Sequence, residues 1–125
     1  MSHILSNTLT QLRNSNALNK RECRVPFSNL NERFLSVLKE AGYIGDIKKE
    51  DGEPRAEIII TLIPGRLHEM ASISTPGRRQ YVGYKEMPVV KNGLGDVIIS
   101  TPQGIMTGVQ AREKKIGGEL ICRLA

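Results

Sequence analysis

Three short stretches of the chain gather most of the side chains able to do chemistry. The first, "STPQGIMTG" from Ser100 to Gly108, holds hydroxyls, a proline, a glutamine and two glycines without a single charge. Ser100 and Thr101 both donate and accept, so they can bridge base edges, ribose 2′-hydroxyls and phosphates. Pro102 stiffens the turn, Gln103 adds an amide, and Gly104 lets backbone approach a ligand closely. The second, "STPGRRQYVGY" from Ser74 to Tyr84, sets Arg78 and Arg79 beside a Pro76-Gly77 turn. Their guanidinium forks suit phosphate. Tyr81 offers a flat face to an unstacked base, a contact worth roughly 1–3 kcal/mol in single-strand binders. The third, "AREKKIGGE" from Ala111 to Glu119, adds Arg112, Lys114 and Lys115. Glu119 fits a different task there, accepting hydrogen bonds from loop N–H or hydroxyl groups. Arg13, Lys20, Arg21 and Arg24 make a fourth, weaker basic patch. Each stretch also has a plain structural reading: a hairpin with surface arginines, an ordinary turn, a solvated helix face.

Other chemistries find no residues to build on. His3 and His68 are far apart and neither has a second ligand at metal spacing, so no metal site is expected. The sequence has no phosphate loop ending in Lys-Ser/Thr and no dinucleotide fingerprint. Ser100 lacks the flanking glycines of a nucleophile elbow. The carboxylates gather mainly between residues 46 and 57, where a solvated face accounts for them. The expectation is a protein that is not an enzyme and that takes no cofactor and no small-molecule substrate.

Charge points toward a polyanion. The 125 residues carry a formal charge of +5 and a pI near 9.5, a balance that favours a polyanionic partner, with solubility charge and no partner as the plain alternative. Residues 1–44 hold +3, residues 45–65 hold −2 and residues 66–125 hold +4, so one acidic segment separates two basic ones. Apolar content of 39% and charged content of 25% are globular values. No apolar run approaches the roughly 18 residues of a membrane span, and the first residues resemble neither a secretory nor an Arg-rich targeting segment. Cys23 and Cys122 each sit in an alternating apolar stretch, which reads as two buried free thiols, with a single disulfide as the alternative.

The elements that must position these residues divide into two lobes. Ile4, Leu5, Leu9 and Leu12 recur at helical spacing, predicting a helix over 3–16. "ECRVPF" alternates as a strand ending at Pro26. Asn29 with Glu32 marks a helix start, Leu30, Phe34, Leu38 and Ala41 share a face, and Gly42 stops it. "YIGDIKK" and "AEIIITLI" read as strands joined by a hairpin at Asp51-Gly52. After Pro64-Gly65 the helical period disappears. "RLHEMASIS", "RRQYVGY" and "DVIIST" read as strands with Pro76-Gly77 and Asn92-Gly93 between them. Thr107 and Gln110 form a capping box for a short helix near 108–115, ended by Gly117-Gly118. "ELICRLA" closes the chain with Leu120, Cys122 and Leu124 on one face. The fold class is α+β: a mixed lobe over 1–65, then a strand-rich lobe over 66–125 with one short helix.

"ISTPQGIMTGVQAREKKIGGELIC", Ile99–Cys122, resembles the signature of the small-subunit ribosomal protein eight family in its bacterial-type form. "LTQLRN", "LKEAGYI", "TPGRRQY" and "GLGDVIIST" follow the family's order and spacing, so the resemblance covers nearly the whole chain. It implies a two-lobe protein that binds a helix in the central domain of small-subunit ribosomal RNA early in assembly, beside neighbouring ribosomal proteins. It places the main contact at Ser100 and Thr101, with Gly104 closing the turn, Arg79 and Tyr81 in the proline–glycine hairpin, and Gly117, Gly118 and Glu119 in the Gly-Gly-Glu stretch. Arg13 and Asn14 become a secondary RNA contact. The family's second serine is Pro102 here, which removes a hydroxyl and a backbone N–H. The implied location is the ribosome of a bacterial cytoplasm or a mitochondrial matrix. Some bacterial members also repress their own messenger RNA, an alternative role that the resemblance carries with it.

Overall fold

The computed structural model describes residues 3–75, 77–88 and 95–125. Pro76 and the expected Asn92-Gly93 turn lie outside the described residues. The fold is α+β, and its contacts cluster into two compact units, Ile4–Leu67 and His68–Ala125.

The first unit contains α1 (His3–Ala17), β1 (Glu22–Pro26), α2 (Asn29–Glu40), β2 (Ile47–Glu50) and β3 (Glu57–Thr61). The three strands form an antiparallel sheet in the order β1-β3-β2. Cys23 stands opposite Ile60 and Val25 opposite Ile58, so all four point to one face, and all four are buried. Leu5, Leu9 and Leu12 of α1 and Phe34, Leu35 and Leu38 of α2 supply the helical part of the core. Asn31 is buried within it. It accepts from Thr8 Oγ1 at 2.6 Å and donates to the Pro26 carbonyl at 2.8 Å, which satisfies groups that would otherwise be stranded. Ser28, not Asn29, caps α2, its hydroxyl accepting the Asn31 N–H at 3.0 Å. Tyr43 and Ile44 precede β2 rather than open it. Both are buried in the turn after α2, where the Tyr43 N–H returns to the Leu38 carbonyl.

The second unit contains β4 (Met70–Ser72), β5 (Tyr81–Val82), a 3₁₀ turn (Tyr84–Glu86), β6 (Asp96–Thr101), β7 (Gly104–Thr107), α3 (Gly108–Glu113) and β8 (Gly118–Leu124). Its sheet runs β4-β8-β6-β7, with β5 also paired to β8. Met87, Val97, Ile99, Met106, Ala111 and Leu120 form the core between this sheet and α3. The capping box at Thr107 and Gln110 is complete: each side chain bonds the other's backbone N–H, at 3.1 and 3.2 Å.

Three sequence expectations change here. The strands "RLHEMASIS" and "RRQYVGY" shrink to three and two residues, because the chain between them leaves the sheet. Lys115, with φ +56, ends α3 in the left-handed region. The Lys115 N–H bonds Arg112 C=O and the Ile116 N–H bonds Ala111 C=O, a Schellman stop that leaves Gly117 and Gly118 for another use. Leu120 and Cys122 do not share a face. The pairing of β6 with β8 shifts between Ile98 and Ile99, so that Cys122 meets Ile98 and Leu120 meets Ile99. Ile121 is the extra residue of that bulge, and it turns its neighbours to opposite sides.

Both cysteines are free and buried. Burial pushes the Cys122 thiol up to about 12. It also raises that of Cys23, against a hydrogen bond from Ser15 and the charge of Lys20. Since only the thiolate attacks, neither cysteine will react with a maleimide at pH 8 within minutes in the folded protein, and both will react once denaturant is added. A neutral buried thiol stabilises the fold fully below the free-thiol pKa near 9. That contribution from Cys122 declines as pH climbs from about 9 toward 12.

Candidate nucleic-acid interface

The hydroxyl loop is a tight turn between β6 and β7. Thr101 pairs with Gly104 across it, leaving Pro102 and Gln103 exposed at the tip. Thr101 Oγ1 donates to the Gly104 carbonyl at 2.8 Å and accepts the Gln103 N–H at 3.1 Å. Gly104 has φ +117, a backbone conformation that disfavours any side chain. The Thr101 hydroxyl is therefore occupied in closing the turn, with its one proton already spent. Pro102 sits where the turn needs no N–H, so the ring fits without displacing an internal hydrogen bond.

Ser100 is placed differently. It lies opposite Glu119 of β8 and Ile105 of β7, and Glu119 in turn lies opposite Tyr81 of β5. Directly paired residues project from the same side of a sheet. Tyr81, Glu119 and Ser100 thus form one row on the face opposite the Val97–Ile99–Leu120 core. Adjacent strands are about 4.8 Å apart, so the ends of this row are about 10 Å apart. Tyr81 is 65% exposed, with its ring open to stacking, and Ser100 and Glu119 are half-buried.

Gly117 and Gly118 set the spacing of that row. A Cβ on Gly118 would overlap the Ser100 carbonyl, with Ser100 C at 2.9 Å and Thr101 Cα at 3.2 Å. One on Gly117 would overlap the Val82 carbonyl and lie 2.9 Å from Gly83 Cα. Only glycine lets the start of β8 pass this close to both β6 and β5.

Arg78 and Arg79 stand at the edge of the sheet on an excursion between β4 and β5. Thr75 and Arg78 exchange both backbone hydrogen bonds, at 3.0 and 3.1 Å. Gly77, Arg78 and Arg79 are exposed, and neither arginine has a carboxylate partner among the described residues. Ser74 and Gln80, which sequence reasoning passed over, close the neck of the excursion through three hydrogen bonds. Their signal was a serine directly before a Thr-Pro-Gly turn, too common a pattern to single out.

Two parts of the basic inventory drop out. Arg112 donates to the Met87 carbonyl at 2.7 Å and so anchors α3. Arg24 is surrounded by Glu50, Glu22 and Glu57 at 3.3, 3.5 and 3.8 Å, which leaves it little attraction for phosphate. Lys114 and Lys115 remain exposed, as do Arg13 and Asn14 on α1 of the first unit. No group of three His, Cys, Asp or Glu among the described residues could hold a metal ion, and no helix of the described residues is long and apolar enough to cross a membrane.

Residues 3–124 match the family model of Ribosomal protein S8. The chain belongs to the ribosomal protein S8 family. It is 42% identical over 126 residues to the small ribosomal subunit protein uS8 of Maricaulis maris, covering 97% of this chain and 96% of that one. The uS8 of Mesorhizobium japonicum is 41% identical over 129 residues, covering 99% and 98%, and that of Borreliella afzelii is 39% identical over 127 residues, covering 98% and 96%. Membership makes it a structural protein of the small ribosomal subunit.

Proposed function

We propose that the chain binds a helix in the central domain of small-subunit ribosomal RNA and supports its folding during subunit assembly, without catalysing a reaction. The observation that carries this is the Tyr81–Glu119–Ser100 row beside Arg78 and Arg79. It combines a stacking surface and an uncharged hydroxyl with two exposed cations that pair with no carboxylate among the described residues. Phosphates are met by the arginines, which supply affinity for any RNA. Discrimination falls to Tyr81, to Ser100 and to the exposed amide of Gln103, groups suited to unstacked bases and 2′-hydroxyls. Thr101, Gly104, Gly117 and Gly118 hold the geometry, while Arg13 and Asn14 give a secondary contact from the first unit. Neighbouring small-subunit proteins complete the set of partners.

Filter binding across a salt series, against a central-domain RNA fragment and an unrelated hairpin, tests the reading. The expected result is tighter binding to the ribosomal fragment at every salt concentration, with both affinities falling as salt rises. Equal affinity for the two RNAs would remove specific recognition, and no binding to either would remove RNA binding itself.

A further inference from the structure

The excursion carrying Arg78 and Arg79 leaves the sheet after Ile73 and returns at Gln80. The Ile73 N–H donates to Ile121 C=O and Gln80 C=O accepts from the Leu120 N–H, both at 2.9 Å, so each residue spends one backbone group on β8. What remains is the Gln80 N–H and the Ile73 carbonyl, the pair that would form the next rung of an ordinary hairpin. Side chains take their place. Ser74 Oγ accepts the Gln80 N–H at 2.9 Å and reaches Gln80 C=O at 3.4 Å. Gln80 Nε2 reaches Ile73 C=O at 3.4 Å. Ser74 is fully buried at 0% exposure, so its hydroxyl faces protein and not solvent. Beyond this clasp only the Thr75–Arg78 pair holds the tip among the described residues.

We propose that Ser74 is a positioning residue for phosphate binding: its hydroxyl keeps the excursion closed, so that Arg78 and Arg79 are held ready beside Tyr81. Ser74 itself touches no RNA. An open excursion would have to be ordered each time RNA binds, and that lost freedom weakens binding. This rests on the RNA-binding reading above, and the test separates the two.

Ser74→Ala removes one oxygen and leaves the packing in place. In the free protein, the Arg78 and Thr75 amides, which bond each other's carbonyls and not the Ser74 hydroxyl, will lose hydrogen-exchange protection, while the β6 and β8 amides keep theirs. Against the central-domain RNA fragment, Ser74→Ala will weaken binding about 3- to 10-fold. In an Arg78→Ala/Arg79→Ala background the same change will have almost no further effect, because the side chains it positions are gone. Unchanged Arg78 protection would overturn the clasp whatever the RNA result. An equal loss in both backgrounds, or loss of β6 and β8 protection as well, would make Ser74 a general packing residue and overturn the proposal too. If the wild-type chain shows no preference for the ribosomal fragment, the functional reading falls, and the exchange result alone decides the clasp.

Discussion

Gly118→Ala will lower the melting temperature by about 3–18 °C and weaken binding to the central-domain fragment at least tenfold. The added methyl meets the Ser100 carbonyl and, at 3.2 Å, Thr101 Cα. These are backbone atoms, so no rotamer change relieves the overlap, and β6 or β8 has to shift. Overpacking of this kind costs about 1–3 kcal/mol, and each kcal/mol moves the midpoint of a domain this size by roughly 3–6 °C. The shift also pulls Ser100 out of line with Glu119 and Tyr81, which is why affinity falls together with stability. Gly77→Ala is the matched control. It lies in the arginine excursion, has open space where its Cβ would go, and lacks a positive φ. Its melting temperature should stay within about 2 °C of wild type. If Gly118→Ala melted and bound like Gly77→Ala, the close approach of β8 would not be what sets the row.

How much of this was legible beforehand depends on whether a feature was local. The capping box at Thr107 and the amphipathic faces of α1 and α2 are local, and the structure keeps them. The expectation of two lobes, with most of the chemistry after residue 66, rested on punctuation and charge. What the sequence hid was partnership between distant residues. Arg24 looks like a free cation until Glu50 and Glu57 are brought against it by the pairing of β1 and β2 with β3. Gly117 and Gly118 look like a helix stop, the commonest use of glycine after a helix. Their actual role depends on Ser100 and Val82, which come from strands 18 and 35 residues earlier in the chain, counting from Gly118 to Ser100 and from Gly117 to Val82. Alternation assigned Leu120 and Cys122 to one face, and a single bulged residue, Ile121, reversed that. The resemblance points to the hydroxyl loop but does not divide its labour. Only the bonds from Thr101 to Gly104 and Gln103 show which hydroxyl is occupied within the turn and which stands in the row with Tyr81.

That division predicts two kinds of defect. Arg78→Ala/Arg79→Ala removes two guanidinium groups that have no carboxylate partner among the described residues. If each meets a phosphate, the slope of log affinity against log salt will flatten by about two, and affinity at 0.1 M salt will fall roughly 10- to 100-fold. The loss will be similar for the ribosomal fragment and the unrelated hairpin, since phosphate contacts carry no sequence information. Thr101→Val keeps the charge and the side-chain shape but removes the hydroxyl that bonds Gly104 and Gln103. Its turn loosens, so binding to the ribosomal fragment will weaken about 3- to 10-fold with an unchanged salt slope, while binding to the unrelated hairpin stays as it was. Two measurements, slope and preference, therefore separate the variants. A flattened slope for Thr101→Val, or an unchanged slope for the double arginine variant, would mean that attraction and discrimination are not divided between the excursion and the turn. In that case the arginines would have to be placed at base edges, and their loss would change the preference between the two RNAs instead of the salt dependence.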